Sequence, residues 1–182
     1  MTDAELQGLT LQALNMAKKD IERKQFNFLL AIYHTGEGLH RMRRIEAHLS
    51  ALAGEGWLNN GAAKDRVFGI IRMLVDAKPP NAFIFVTSSN MFLPTAKMRA
   101  MPLEEQKKLV DGGHDAHHEA VKQGLYTLTD CLSAVSQSPE RVCLYTQPVA
   151  SDGSFRDQPE VHFIDQDCFG GRLKMFGEET IL

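Results

Sequence analysis

No apolar run in this chain is long. The longest, Phe28 to Tyr33, falls far short of the roughly 20 residues that span a bilayer. With Phe26 before it, the run is nearly unbroken and partly aromatic, the pattern of a strand covered on both faces. Ala82 to Val86 repeats the pattern after the helix-breaking Pro79-Pro80, and it ends in the polar stretch Thr87-Ser88-Ser89-Asn90. Buried strands of this kind need helices or other layers to cover them.

The segments between supply helical periodicity. Over residues 3–23, Leu6, Leu9, Leu14, Ala17 and Ile21 approximate helical spacing, and Lys18, Lys19 and Arg23 suit the negative end of the helix dipole. After His34-Thr35-Gly36-Glu37-Gly38, a second helix is predicted, because Leu39, Met42, Ile45, Leu49 and Leu52 step by three and four before Gly54 and Gly56. A third is expected from Gly61, capped by Asn60, with Val67, Phe68, Ile71, Leu74 and Val75 inward. Ile70 and Met73 widen that side, so burial around much of this helix is expected. Met91 to Met101 has no clean period and reads as a loop. Pro102 then opens a short helix with Glu104 and Glu105 in its first turn, stopped by Gly112-Gly113. The cleanest periodicity, Val121, Leu125, Leu128, Leu132 and Val135, predicts one helix from about His114 to Gln137. Val142, Leu144 and Tyr145 mark a third strand. Val161 to Phe169 and Leu173 to Phe176 flank Gly170-Gly171 as a hairpin, which sets Asp167 opposite Lys174 and Cys168 opposite Leu173.

Two full-length helices between strands return the chain to the end it left, which argues against a purely parallel sheet. The expected class is therefore α+β: a mixed sheet of about five strands with a C-terminal antiparallel hairpin, packed by about five helices. Residues 1–182 are expected to form a single domain, and 43% apolar with 24% charged residues is an ordinary globular composition. With 20 basic and 23 acidic residues the formal charge is only -3, so the overall field does not favour nucleic acid as a partner. The N-terminus lacks the basic-then-apolar order of a secretory signal, and no segment suits a membrane, so a cytoplasmic location is expected. Cys131, Cys143 and Cys168 have no C-x-x-C spacing and read as reduced, structural thiols.

The common catalytic signatures are absent: there is no P-loop, no H-E-x-x-H, no G-x-S-x-G, and no third glycine after Gly36/Gly38 or Gly54/Gly56. Two stretches could still carry chemistry. His34, Thr35, Gly36 and Gly38, followed by Arg41, Arg43 and Arg44, suggest a strand-to-helix turn whose backbone N–H groups and guanidinium groups would hold a phosphate-like anion. The alternative is that Glu37 and Glu46 neutralise these arginines on a solvated face. Further on, His114 and His118 stand one helical turn apart, and His162 with Asp165 could complete a site for a divalent metal such as zinc. Structural readings compete here as well: histidines at a helix start are commonly hydrogen-bonded or exposed, Thr87 to Asn90 can serve as a turn, and Trp57 can cover a core edge.

These features support two expectations about function. The leading one is a ligand-binding or regulatory interaction protein whose partner is an anionic small molecule or another protein. The second is a metal-dependent hydrolase in which metal-bound water is the nucleophile.

Overall fold

A computed structural model describes residues 1–23, 28–36, 39–53, 57, 60–111, 113–150, 152–155, 159–169 and 175–176. Along the chain run α1 (Asp3–Glu22), β1 (Phe28–Gly36), β2 (Leu39–Arg44), α2 (Glu46–Ala53), α3 (Gly61–Ala77), β3 (Ala82–Pro94), α4 (Ala96–Arg99), α5 (Leu103–Asp111), α6 (Gly113–Lys122), β4 (Tyr126–Gln137), β5 (Arg141–Pro148) and β6 (Glu160–Asp165). The strands join in the order β2-β1-β3-β4-β5-β6, and the sheet is antiparallel. The α+β class is as expected, with six strands rather than about five and antiparallel neighbours where a mixed sheet was expected. Among the described residues, no helix is long and apolar enough to cross a membrane.

Backbone proximity divides the chain into two compact units, Met1–Thr87 with Ser133–Thr146 and Glu160–Leu182, and Ser88–Leu132 with Gln147–Pro159. In the first, β1 is covered on both faces, as its apolar run predicts: Phe28, Leu29, Leu30 and Ala31 are all buried. α1 packs on β1, and so does α2. Alternation sorts the side chains, and Phe28, Leu30, Phe83 and Phe85 join Leu49, Trp57, Val67, Phe68, Ile71 and Val75 in one core. The starts of α1 and α3 are chemically specified. Thr2 and Glu5 form a capping box at α1, and the Asn60 side chain accepts from the Ala63 N–H at 3.1 Å to cap α3.

In the second unit, Met98, Ala120, Leu125 and Tyr126 form a smaller core beneath α4, α5 and α6. Thr95 caps α4, and its hydroxyl also donates to the Gly124 carbonyl at 2.9 Å. Gly124 has φ +70, a left-handed conformation that suits glycine and ends α6.

Four local expectations are corrected. Residues 114–137 are not one helix, because the chain turns at Gly124 and continues as β4, where Leu128 is 42% exposed. Leu125, Leu128 and Leu132 match helical spacing by coincidence, in a segment whose Tyr126, Thr127, Thr129 and Val135 favour strand. Residues 39–44 pair with β1 as a strand, so the helix begins only at Glu46. Thr87 to Asn90 and the expected loop after Met91 instead continue β3 to Pro94. Finally, Val161 to Asp165 pairs with β5, Gln166–Cys168 is a 3-10 turn, and Met175 and Phe176 are buried without strand structure. Gln137 holds this last segment by accepting from the Met175 N–H at 2.9 Å, and the Gln166 amide donates to the Phe176 carbonyl at 3.1 Å. Gly170, Gly171, Leu173 and Lys174, and with them the expected pairs across that turn, lie outside the described residues.

The three cysteines are thiols outside any disulfide, with Cys131 and Cys143 buried and Cys168 exposed. Burial pushes the Cys143 thiol up, against a hydrogen bond from Thr10 that works the other way. A chromogenic disulfide reagent is therefore expected to titrate one thiol quickly in the folded protein and the other two only on unfolding. Rapid reaction of a second thiol would show that β4 or β5 opens readily.

Candidate functional site

The segment expected from the sequence to lead from a strand into a helix leads instead from β1 to β2, two paired strands. His34 pairs with Arg41, Ile32 with Arg43 and Ala31 with Arg44 in the β1–β2 register. Residues directly opposite in an antiparallel pair share a face, so alternation separates the arginines. Arg44 falls with Ala31 on the α1 side, where its guanidinium is 2.8 Å from Asp20 and also bonds Glu46. Partial burial acts against its charge, but hydrogen bonds and charge from Glu46 and Asp20 hold its pKa above the ordinary arginine value. Arg44 is thus committed to structure. Glu46 and Asp20 neutralise Arg44.

Thr35 also separates from His34. Its N–H donates to the Asn81 side chain at 2.6 Å, beside a cavity of about 420 Å³ bounded by Tyr33, Thr35, Asn81 and Glu5. Gly36 ends β1, whereas Gly38 and Glu37 lie outside the described residues. Arg41 is placed by its backbone register alone.

On the other face, His34 and Arg43 do come together with groups that sequence spacing did not connect. Ile32, His34 and Arg43 from the hairpin, Ile45, His48 and Leu49 from the start of α2, and Ile70, Ile71, Leu74, Val75, Lys78 and Pro80 from α3 and its end enclose a cavity of about 240 Å³. Leu49, Ile71 and Val75 belong to the buried core, so its floor is continuous with well-packed apolar structure. Arg43, His48 and Lys78 are exposed and His34 half-buried, which leaves their nitrogen groups access to water. Among the described residues, no carboxylate lies in the lining. The arrangement suits a ligand with an apolar body and a negative end: burial of the body is favoured by about 25 cal/mol per Å², while the cations attract the charged group.

The histidine cluster proposed from the sequence takes another form. His114 and His118 lie on α6, and the His114 side chain is outside the described set. The Phe92 ring centroid is 5.2 Å from both His117 and His118, an aromatic packing role for these imidazoles. His162 is on β6 in the other compact unit, side by side with Glu160, its Nε2 4.0 Å from that carboxylate, while Asp165 bonds Arg141. Among the described residues, no three His, Cys, Asp or Glu side chains gather where they could hold a metal ion.

His48 and Lys78 are the contributors that sequence reasoning missed. Each follows an apolar helical pattern by one or a few residues, but nothing local in the sequence says that the two helices face the same strand pair. Trp57, in turn, is 4% exposed and packs edge-on to Phe28 at 5.3 Å, covering core as its structural reading anticipated. No known protein family, curated protein or solved structure gives a match to this chain.

Proposed function

We propose that this chain is a binding protein for a small amphipathic anion, such as an organic carboxylate with an aliphatic body, taken up between the β1–β2 hairpin and helices α2 and α3. The observation that carries this reading is the lining itself, which among the described residues has an apolar floor with four nitrogen-bearing side chains and no acidic one. The cavity of about 240 Å³ is near the small end of ligand sites, which favours a compact or medium-chain ligand over a large cofactor. The anion is held by side-chain cations rather than by a helix N-terminus. His34 and Arg43 carry over from the sequence reading, and His48 and Lys78 join them.

Calorimetric titration with decanoate, decanol and decyltrimethylammonium tests the reading. Decanoate is expected to bind most tightly, with affinity falling as salt is raised because exposed charges are screened. Arg43→Ala and Lys78→Ala should each weaken decanoate about 2- to 5-fold, the scale of one exposed ion pair, and leave decanol unchanged. Equal binding of the cationic amphiphile, or no binding of decanoate, would overturn the proposal.

A further inference from the structure

The periodicity of α3 predicts a helix buried around much of its surface, and half of that expectation fails. Val67, Phe68, Ile71 and Val75 are buried, but Ile70 is 43%, Leu74 61% and Met73 72% exposed. The helix therefore has a second apolar face. Ala63, Arg66, Ile70, Met73 and Ala77 follow one another by three, four, three and four residues, the spacing of a helix-packing seam, with Leu74 beside it.

We propose that this face is where two copies of the chain associate, with their α3 helices antiparallel about a two-fold axis passing between residues 71 and 72. The sequence of the face is complementary to its own reverse. Such an axis sets Ile70 of one copy against Met73 of the other, and Arg66 against Ala77 and the neighbouring Asp76. Arg66 and Asp76 are both exposed, and neither forms an ion pair with another described residue. In the antiparallel pair each guanidinium meets a carboxylate at both ends of the apolar patch. A parallel pair would instead put like charges side by side.

Gly69 is a second observation pointing to close approach. A glycine in the middle of a helix is about 1 kcal/mol less favourable than alanine, yet a Cβ at Gly69 would meet nothing within 4 Å in its own chain. Nothing among the described residues of the monomer requires the small residue. It lies on the same flank as Asp76, where the missing side chain makes room for Met73 of a second copy, which the same axis sets against the adjacent Ile70. A helix of 17 residues is about 25 Å long, so one helix pair falls short of the roughly 1,200 Å² buried in stable complexes. The association is accordingly weak and reversible, with a dissociation constant in the micromolar range or above.

Sedimentation equilibrium of the full chain, from micromolar to near-millimolar concentration, tests this. A monomer–dimer equilibrium is expected. Met73→Glu should abolish it without changing the melting temperature measured at high dilution, where the parent chain is also monomeric. Arg66→Asp and Asp76→Arg should each weaken self-association on the order of tenfold by creating two like-charge contacts. Mixing those two variants should restore dimers, as should combining both substitutions in one chain. A chain that stays monomeric throughout would overturn the proposal. So would a dimer indifferent to Met73→Glu, or charge reversals that fail to rescue one another.

Discussion

Leu132→Ala is expected to cost about 2–5 kcal/mol in unfolding free energy, whereas Leu128→Ala should stay within about 0.5 kcal/mol of the parent. The two leucines are one helical turn apart in sequence, and on a continuous helix they would share a buried stripe and respond alike. On β4 their surroundings differ: Leu132 is 1% exposed, beside Cys131 at 3%, while Leu128, near the start of the strand, is 42% exposed. Truncating Leu132 leaves a void in packed structure, and the cost depends on how far neighbours relax into it. Truncating Leu128 mostly removes surface that water already reaches. Urea denaturation of both variants gives the comparison directly from the midpoints, provided the slopes agree. Equal losses would restore the helical assignment of residues 114–137 and remove β4.

The elements legible in the sequence are those whose burial is one-sided around a helix or complete along a strand. α1 shows its apolar stripe, and α3 shows both its stripe and its Asn60 cap. β1 and the first half of β3 show as unbroken apolar runs because both faces are covered. What escaped were the strands whose exposure changes along their length. β3 passes from five consecutive buried residues into alternation at Thr87, Ser88, Ser89 and Asn90, residue types that elsewhere make turns. β2 is a short strand in which three of six residues are arginine, specified by pairing with β1 rather than by its own composition. The site shared that fate. His34 and Arg43 could be singled out from one stretch of sequence, but their association with His48 and Lys78 follows from hairpin register and helix placement, which are tertiary facts. For the histidines on α6, spacing by one turn described a helix face and nothing about what that face would meet. Phe92 lies against it.

Phe68→Ala is expected to be among the most damaging single changes, costing about 3–5 kcal/mol. Phe68 is 3% exposed, and its ring stands edge-on to two others, 6.0 Å from Trp57 and 6.0 Å from Phe85. Such pairs contribute about 0.5–1.5 kcal/mol each beyond the area they bury, so the loss should fall toward the upper end of the range. Trp57 is the single tryptophan in the chain, which makes its emission a local probe. A cavity at Phe68 should admit water and shift that emission to the red before global unfolding begins. Phe68→Leu, which keeps much of the apolar volume but removes the ring edges, should lose less stability and shift the emission less. The consequence reaches the candidate site, because Phe68 packs in the same core as Leu49, Ile71 and Val75, which form the cavity floor. Decanoate affinity should therefore fall in Phe68→Ala even though Phe68 does not line the cavity, and it should fall for decanol in equal proportion, since only the apolar floor is disturbed. Arg43→Ala has the opposite signature, a loss confined to the anion. If Phe68→Ala changed stability by less than about 1 kcal/mol, below the range for a buried aromatic residue, the core joining α3 to the sheet would be loosely packed, and the cavity would lack a fixed floor on which to select a ligand.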